Sequence, residues 1–234
     1  LGSCYQKLGD FETAIKNFLQ VLSTEQKNLA AMNNLANAYK DILEFEKAEN
    51  LFKEIIKINP NYINAITNYA NLKFQLDQYE DAIELYNRAL KIDNKIENIH
   101  YNMGLTYQSY GAFAEAEKHF KEMLKINPTA TIADRLISRF TKYNQENTHF
   151  KEMVERSKIS NLNDNSKINL YFALGKAYED IKDYEKSFSF LKKANDLTNS
   201  KFFYNTKDDD NFIEDIQKFF NKKNIINYMN TKNT

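Results

Sequence analysis

Residues 97–128, ENIHYNMGLTYQSYGAFAEAEKHFKEMLKINP, decide how the rest of the chain is read. Met103 and Gly104 stand together, followed by Tyr107, Gly111, Ala116, Phe120 and a closing Pro128. Moving back 34 residues, twice, returns much of the same pattern. Ala116 falls on Ala82 and Ala48, Phe120 on Tyr86 and Phe52, and Pro128 on Asn94 and Pro60. A fixed period in the thirties, built on small residues, aromatics and a terminal proline, is the signature of stacked helix-turn-helix units.

Glycine and proline usage agrees. The chain has 5 glycines and 2 prolines, and each occupies a repeat position. Gly2, Gly104 and Gly175 share the place where two helices approach closely, and Gly9 and Gly111 share the turn between them. Pro60 and Pro128 each close a repeat. No glycine cluster remains for a phosphate loop or a dinucleotide-binding turn.

On these residues the pattern resembles the tetratricopeptide repeat. The resemblance implies an all-α fold, a right-handed α-solenoid of antiparallel helix pairs whose first helices line the concave surface. Residues 1–128 hold repeats, the first truncated, since Leu1 and Gly2 already sit inside a helix and the chain is expected to be a piece of a longer one. The second repeat pairs a helix near Leu29–Ile42 with one near Phe45–Ile58. The third carries Lys73 where an aromatic is usual and reads as the weaker copy. Residues 129–163 form a degenerate pair around Ala133, Leu136, Ile137 and Phe140, then Phe150, Met153 and Val154. Over 164–199 the pattern returns, with Leu174, Gly175, Tyr178 and Ala194 in place and Ser187 as the small residue of the second helix. Residues 200–234 are expected to hold a C-terminal helix on Phe212, Ile213, Ile216, Phe219 and Phe220, preceded by Asp208, Asp209 and Asp210, then a linker.

Charge excludes some classes. With 32 basic and 32 acidic side chains the chain lacks the footprint of a nucleic-acid binder. No apolar run reaches the length of a membrane span, which argues against a membrane protein. The single Cys4 cannot close an internal disulfide, so a reducing, cytoplasmic setting is expected and Cys4 reads as a packing residue. His100 reads as a packed core residue. His119 and His149 lie on separate helices without a metal-ligand spacing, so no metal site and no catalytic residue are expected here.

The sharpest functional feature is a row of asparagines. Asn34, Asn68 and Asn102 lie one repeat apart on first helices, with Asn37 and Asn71 one turn later on two of them. An amide offers both donor and acceptor, so such a row can hold peptide main chain without regard to sequence. It resembles the asparagine ladder of O-GlcNAc transferase repeats, which implies peptide binding in the concave groove, with Tyr101 placed to stack on a ligand. Against this, asparagine is abundant throughout the chain, and an asparagine on a first helix can equally serve as an internal hydrogen bond. The carboxylate clamp of chaperone-binding repeats fits poorly. Its supporting type is kept at Asn37 and Asn68, but Asn33, Asn98 and Asn102 stand where cations are needed.

Residues 133–220, and LYFALGKAYEDIKDYEKSFSFLKKAND (170–196) above all, are similar to bacterial proteins in which such repeats are fused to a C-terminal sulfotransferase. That resemblance implies an acceptor-recruiting arm for a catalytic domain beyond this chain, with 3′-phosphoadenylyl sulfate as that domain's cofactor and none bound by these residues. A stand-alone assembly scaffold and the repeat arm of a glycosyltransferase stay open. The partner expected in each case is a protein or extended peptide. The apolar face of the truncated first repeat, Leu1–Leu8, also predicts some self-association.

Overall fold

The computed structural model describes residues 1–201 together with Ile213, Glu214, Ile216 and Lys218. The expected C-terminal helix otherwise lies outside the described residues, as do the acidic run 208–210 and the terminal linker. Among the described residues the secondary structure is all α: twelve helices in chain order and no strand. They are α1 (Gly2–Lys7), α2 (Phe11–Thr24), α3 (Leu29–Asp41), α4 (Phe45–Ile58), α5 (Ile63–Gln75) and α6 (Tyr79–Ile92), then α7 (Glu97–Tyr110), α8 (Phe113–Ile126), α9 (Ile132–Ser138), α10 (Thr148–Arg156), α11 (Asp164–Asp180) and α12 (Tyr184–Asn199). No described helix is long and apolar enough to cross a membrane.

Successive helices pair as α1/α2, α3/α4, α5/α6, α7/α8 and α11/α12; the first four pairs stack in succession, and α9 links α8 to α11. The small residues explain the close pairing. A Cβ on Gly104 would sit 2.4 Å from Cε1 of Phe120, and one on Gly175 would sit 2.6 Å from Leu191 Cδ2. Ala14, Ala48, Ala82 and Ala116 are fully buried at the matching place on the second helices. Ser187 does the same work in the last pair, its hydroxyl donating to the Gly175 carbonyl at 2.8 Å. Phe52, Tyr86 and Phe120 fill the space between pairs and are likewise buried. Each such aromatic contributes substantially, since truncating a buried one to Ala costs about 3–5 kcal/mol.

The turn between paired helices needs one residue in the left-handed region. Gly9 (φ 79°) and Gly111 (φ 86°) supply it as expected. Leu43 (φ 64°), Asp77 (φ 56°) and Lys182 (φ 64°) adopt it in the repeats without glycine. The close docking of the two helices imposes this turn, and at Leu43 it overrides a local steric preference of about 1–2 kcal/mol.

Several asparagines cap helices. Asn28, Asn147 and Asn163 accept the backbone N–H of Ala31, Phe150 and Ser166 at the starts of α3, α10 and α11. Part of the asparagine abundance therefore has a purely local role.

Two expectations are corrected. Cys4 is exposed rather than packed. Lys73 does not mark a weak repeat: its aliphatic stem is buried and its ammonium reaches Glu49 of α4 at 3.1 Å and Gln78 at 2.8 Å. Tyr69 donates its hydroxyl to the same Glu49 oxygen at 2.7 Å. Partial burial pushes the Glu49 carboxyl up, but hydrogen bonds from Lys53, Tyr69 and Lys73 outweigh it and hold the pKa at about 2.

The degenerate region keeps two helices, both short. α9 packs on α8 and α11, and α10 packs on α11. A buried polar network ties the region together. Asp134 Oδ1 accepts from His149 Nε2 at 2.9 Å and from Arg156 Nη1 at 2.8 Å. His149 Nδ1 faces the Tyr143 hydroxyl at 2.9 Å. The carboxylate can only accept, so His149 carries a proton on Nε2.

Candidate functional site: the inner face of the helix pairs

First helices touch one another along the array: α3 meets α5, α5 meets α7, and α9 meets α11. Their near contact places them on the concave side, with the second helices outside. The asparagines at issue are carried by α3, α5 and α7.

All five, Asn34, Asn37, Asn68, Asn71 and Asn102, are partly exposed. Asn34, Asn68 and Asn102 do not bond to one another. Each of the last two instead reaches back to the preceding first helix. Asn68 Nδ2 donates to Asn33 Oδ1 at 3.0 Å. Asn102 Nδ2 donates to Asn71 Oδ1 at 2.9 Å, and the Tyr86 hydroxyl donates to that oxygen at 2.5 Å. Asn33 is buried and acts as a pure support; its pairing with Asn68 across 35 residues had no signal in the linear pattern.

These bonds decide what the amides can offer. An Asn carries two N–H donors and one carbonyl acceptor. Asn68 and Asn102 each commit one N–H to the protein and keep the other N–H and Oδ1. Asn71 has its Oδ1 filled by two donors, so its NH2 group is the part left to a ligand. Asn34 and Asn37 make no side-chain hydrogen bond among the described residues. The orientation of three amides is thus fixed before any ligand arrives, which lowers the ordering cost of binding.

Tyr101 lies on the same face, half-buried, and with Leu105 forms one wall of a cleft of about 730 Å³. The other walls come from α9, its C-terminal end and α11. The groove thus continues past the asparagines into the degenerate region, which the repeat pattern alone did not reveal.

The histidines are not isolated. His100 on α7 and His119 on α8 bring their Nδ1 atoms to 3.1 Å, and His100 Nε2 lies 3.1 Å from the Asn94 carbonyl. The carbonyl can only accept, so His100 carries a proton on Nε2. Burial, then the nearby His100 and Lys118, lower the His119 pKa to about 4. The pair faces the interior of the α7/α8 unit and Tyr107 stacks on His119, with ring centroids 5.5 Å apart. Among the described residues no group of three or more His, Cys, Asp or Glu could hold a metal ion.

Comparison with known proteins agrees with this architecture. Sequence models of the tetratricopeptide repeat match residues 1–28 and 168–201, 28–59, 51–84 and 98–130, and a further TPR-repeat model matches 70–111. The chain is therefore a tetratricopeptide-repeat protein. The matches leave residues 131–167 and 202–234 uncovered, and α9 and α10, which depart from the standard pair, lie in the first of these. No curated protein matches the chain. Among solved structures it is similar to YrrB, described as a TPR protein with an unusual peptide-binding site, with TM-score 0.56 and 14% identity over 77% of this chain and 91% of that one. It is also similar to MamA, with TM-score 0.51 and 20% identity over 87% and 98% of the two chains. MamA residues 41 to the end from Desulfovibrio magneticus RS-1 give TM-score 0.52 and 13% identity, over 85% and 92%. At these identities the likeness is one of fold.

Proposed function

We propose that the chain is a non-catalytic interaction scaffold that holds an extended segment of a partner protein along its inner face. The observation that carries this reading is the set of part-exposed asparagines on α3, α5 and α7. Their amides are pre-oriented by Asn33–Asn68, Asn71–Asn102 and Tyr86–Asn71 bonds, yet keep unused donors and acceptors. Peptide main chain presents one donor and one acceptor per residue, which is the complement of such a row. YrrB, described as having a peptide-binding site, supports the use of this fold in that way.

The test replaces Asn34, Asn68 and Asn102 with Ala together and measures partner capture alongside far-UV circular dichroism. Retained helicity with weakened capture is expected. Unchanged capture would reduce the asparagines to structural hydrogen bonds.

The sequence resemblance of residues 133–220 extends this reading to the parent protein. There the scaffold would recruit an acceptor to a downstream sulfotransferase domain using 3′-phosphoadenylyl sulfate, in the cytoplasm. That association rests on the resemblance alone; neither the family matches nor the structural neighbours carry it. Sequencing the parent gene beyond the codon for Thr234 tests it. A strand followed by a phosphosulfate-binding loop supports it, and a stop codon favours a free-standing scaffold.

A further inference from the structure

The 730 Å³ cleft beyond Tyr101 differs in chemistry from the asparagine section of the groove. Among the described residues three cations, Arg135, Arg139 and Lys176, line it, and no carboxylate does. Arg135 is exposed, lies over the Phe172 ring at 4.7 Å, and among the described residues hydrogen-bonds only the neutral Asn169 amide, at 3.3 Å. Arg139, at the C-terminal end of α9, is exposed and meets no carboxylate among the described residues.

The nearby acids are already engaged. Asp134, next to Arg135 in sequence, is fully buried and bound by His149 and Arg156. Asp180 receives Lys176, Lys142 and the Tyr143 N–H. Lys176 also donates to the Thr141 carbonyl, so its ammonium is anchored at the edge of the cleft. In a chain whose total charge balances, two guanidinium groups that meet no carboxylate among the described residues, beside an aromatic wall, form a local field of one sign.

Guanidinium suits this task better than ammonium. It is weakly hydrated, forks two parallel N–H donors onto a carboxylate, and stacks on rings. Arg135 is already stacked, so less of its freedom is lost when a ligand binds.

We propose that this cleft takes an acidic peptide segment. Its Asp or Glu carboxylates meet Arg135 and Arg139, and an apolar side chain of the same segment packs against Tyr101, Leu105 and Phe172. This rests on the groove reading above and names the chemistry of the partner: main chain is held by the asparagines of α3, α5 and α7, and acidic side chains are selected at α9 and α11.

Fluorescence anisotropy on the 234-residue chain tests it, using labelled, C-terminally amidated peptides of about a dozen residues. One alternates Glu with Phe and Leu, one carries Lys in place of Glu, and one carries Ser. The acidic peptide is expected to bind at least about tenfold tighter than the lysine peptide and to weaken as salt rises. The Arg135→Glu/Arg139→Glu variant, with both changes on exposed positions, should erase that preference while circular dichroism stays unchanged. Equal binding of all three peptides, weakened only by the asparagine replacements, would overturn charge selection and leave the groove reading standing. Binding of none would overturn both. Displacement of the acidic peptide by a single-stranded oligonucleotide at equal concentration would reassign the cleft to phosphate.

Discussion

Replacing Arg156 with Met isolates what the buried network contributes to the degenerate region. Asp134 is fully buried and its Oδ1 is shared between Arg156 and His149, while Oδ2 has no hydrogen-bond partner among the described residues. The Arg156 side chain is itself only 11% exposed, so solvent does little to screen the pair. Removing one member of a buried ion pair costs about 3–5 kcal/mol, because the other charge stays desolvated without compensation. His149 remains hydrogen-bonded to Asp134, which puts the expectation near the lower end, about 3 kcal/mol. An exposed pair of the same length would contribute under about 1 kcal/mol. Urea unfolding followed by circular dichroism measures the difference, and hydrogen exchange should locate the loss in α9 and α10. A companion variant, Asp134→Leu/Tyr143→Phe/His149→Leu/Arg156→Met, should recover most of that stability by removing the buried charge and the hydroxyl that pairs with His149. A cost below about 1 kcal/mol for Arg156→Met would refute the claim that this network holds the region.

Three further outcomes follow from other parts of the chain. Leu43→Gly should stabilise by about 0.5–1 kcal/mol, since Leu43 is exposed and holds a left-handed turn that glycine adopts without strain; thermal unfolding would show a rise of a few degrees. Glu49→Ala should cost about 1–3 kcal/mol by removing the acceptor shared by Tyr69 and Lys73, measured by chemical denaturation. The His119 pKa is lowered to about 4 in the fold against 6.5 unfolded, so the unfolded chain binds the extra proton between those values. Its contribution is complete above pH 6.5 and is lost as pH falls towards 4. The full shift corresponds to roughly 3 kcal/mol, which part exposure cuts to about 1–2 kcal/mol. A His119→Phe variant with an unchanged stability-versus-pH profile between pH 4 and 6.5 would count against this.

Much of the architecture could be read from the chain because it is written in local, repeated signals. The 34-residue spacing of small residues and aromatics locates α3 to α8, and the returning pattern at Leu170 locates α11 and α12. Gly104 and Gly175 mark close helix approach because only a missing Cβ fits there. The asparagine positions were legible for the same reason: a residue recurring once per repeat on one helix face must line one surface.

What the linear order could not express are contacts whose partners belong to different helices or repeats. Lys73 looks like a defect until α4 brings Glu49 beside it. His100 and His119 meet only because α7 and α8 dock. The orientation of the asparagine amides depends on bonds such as Asn68 to Asn33, formed between helices rather than within one. The sequence by itself determined the stacked helix pairs, since period, helix spacing and small-residue placement act within about one repeat. Only the tertiary structure decided which amide atoms face the groove, where the arginine cleft opens and how Asp134 is compensated. Those outcomes depend on burial and on charges brought together across repeats, and the local pattern does not encode either.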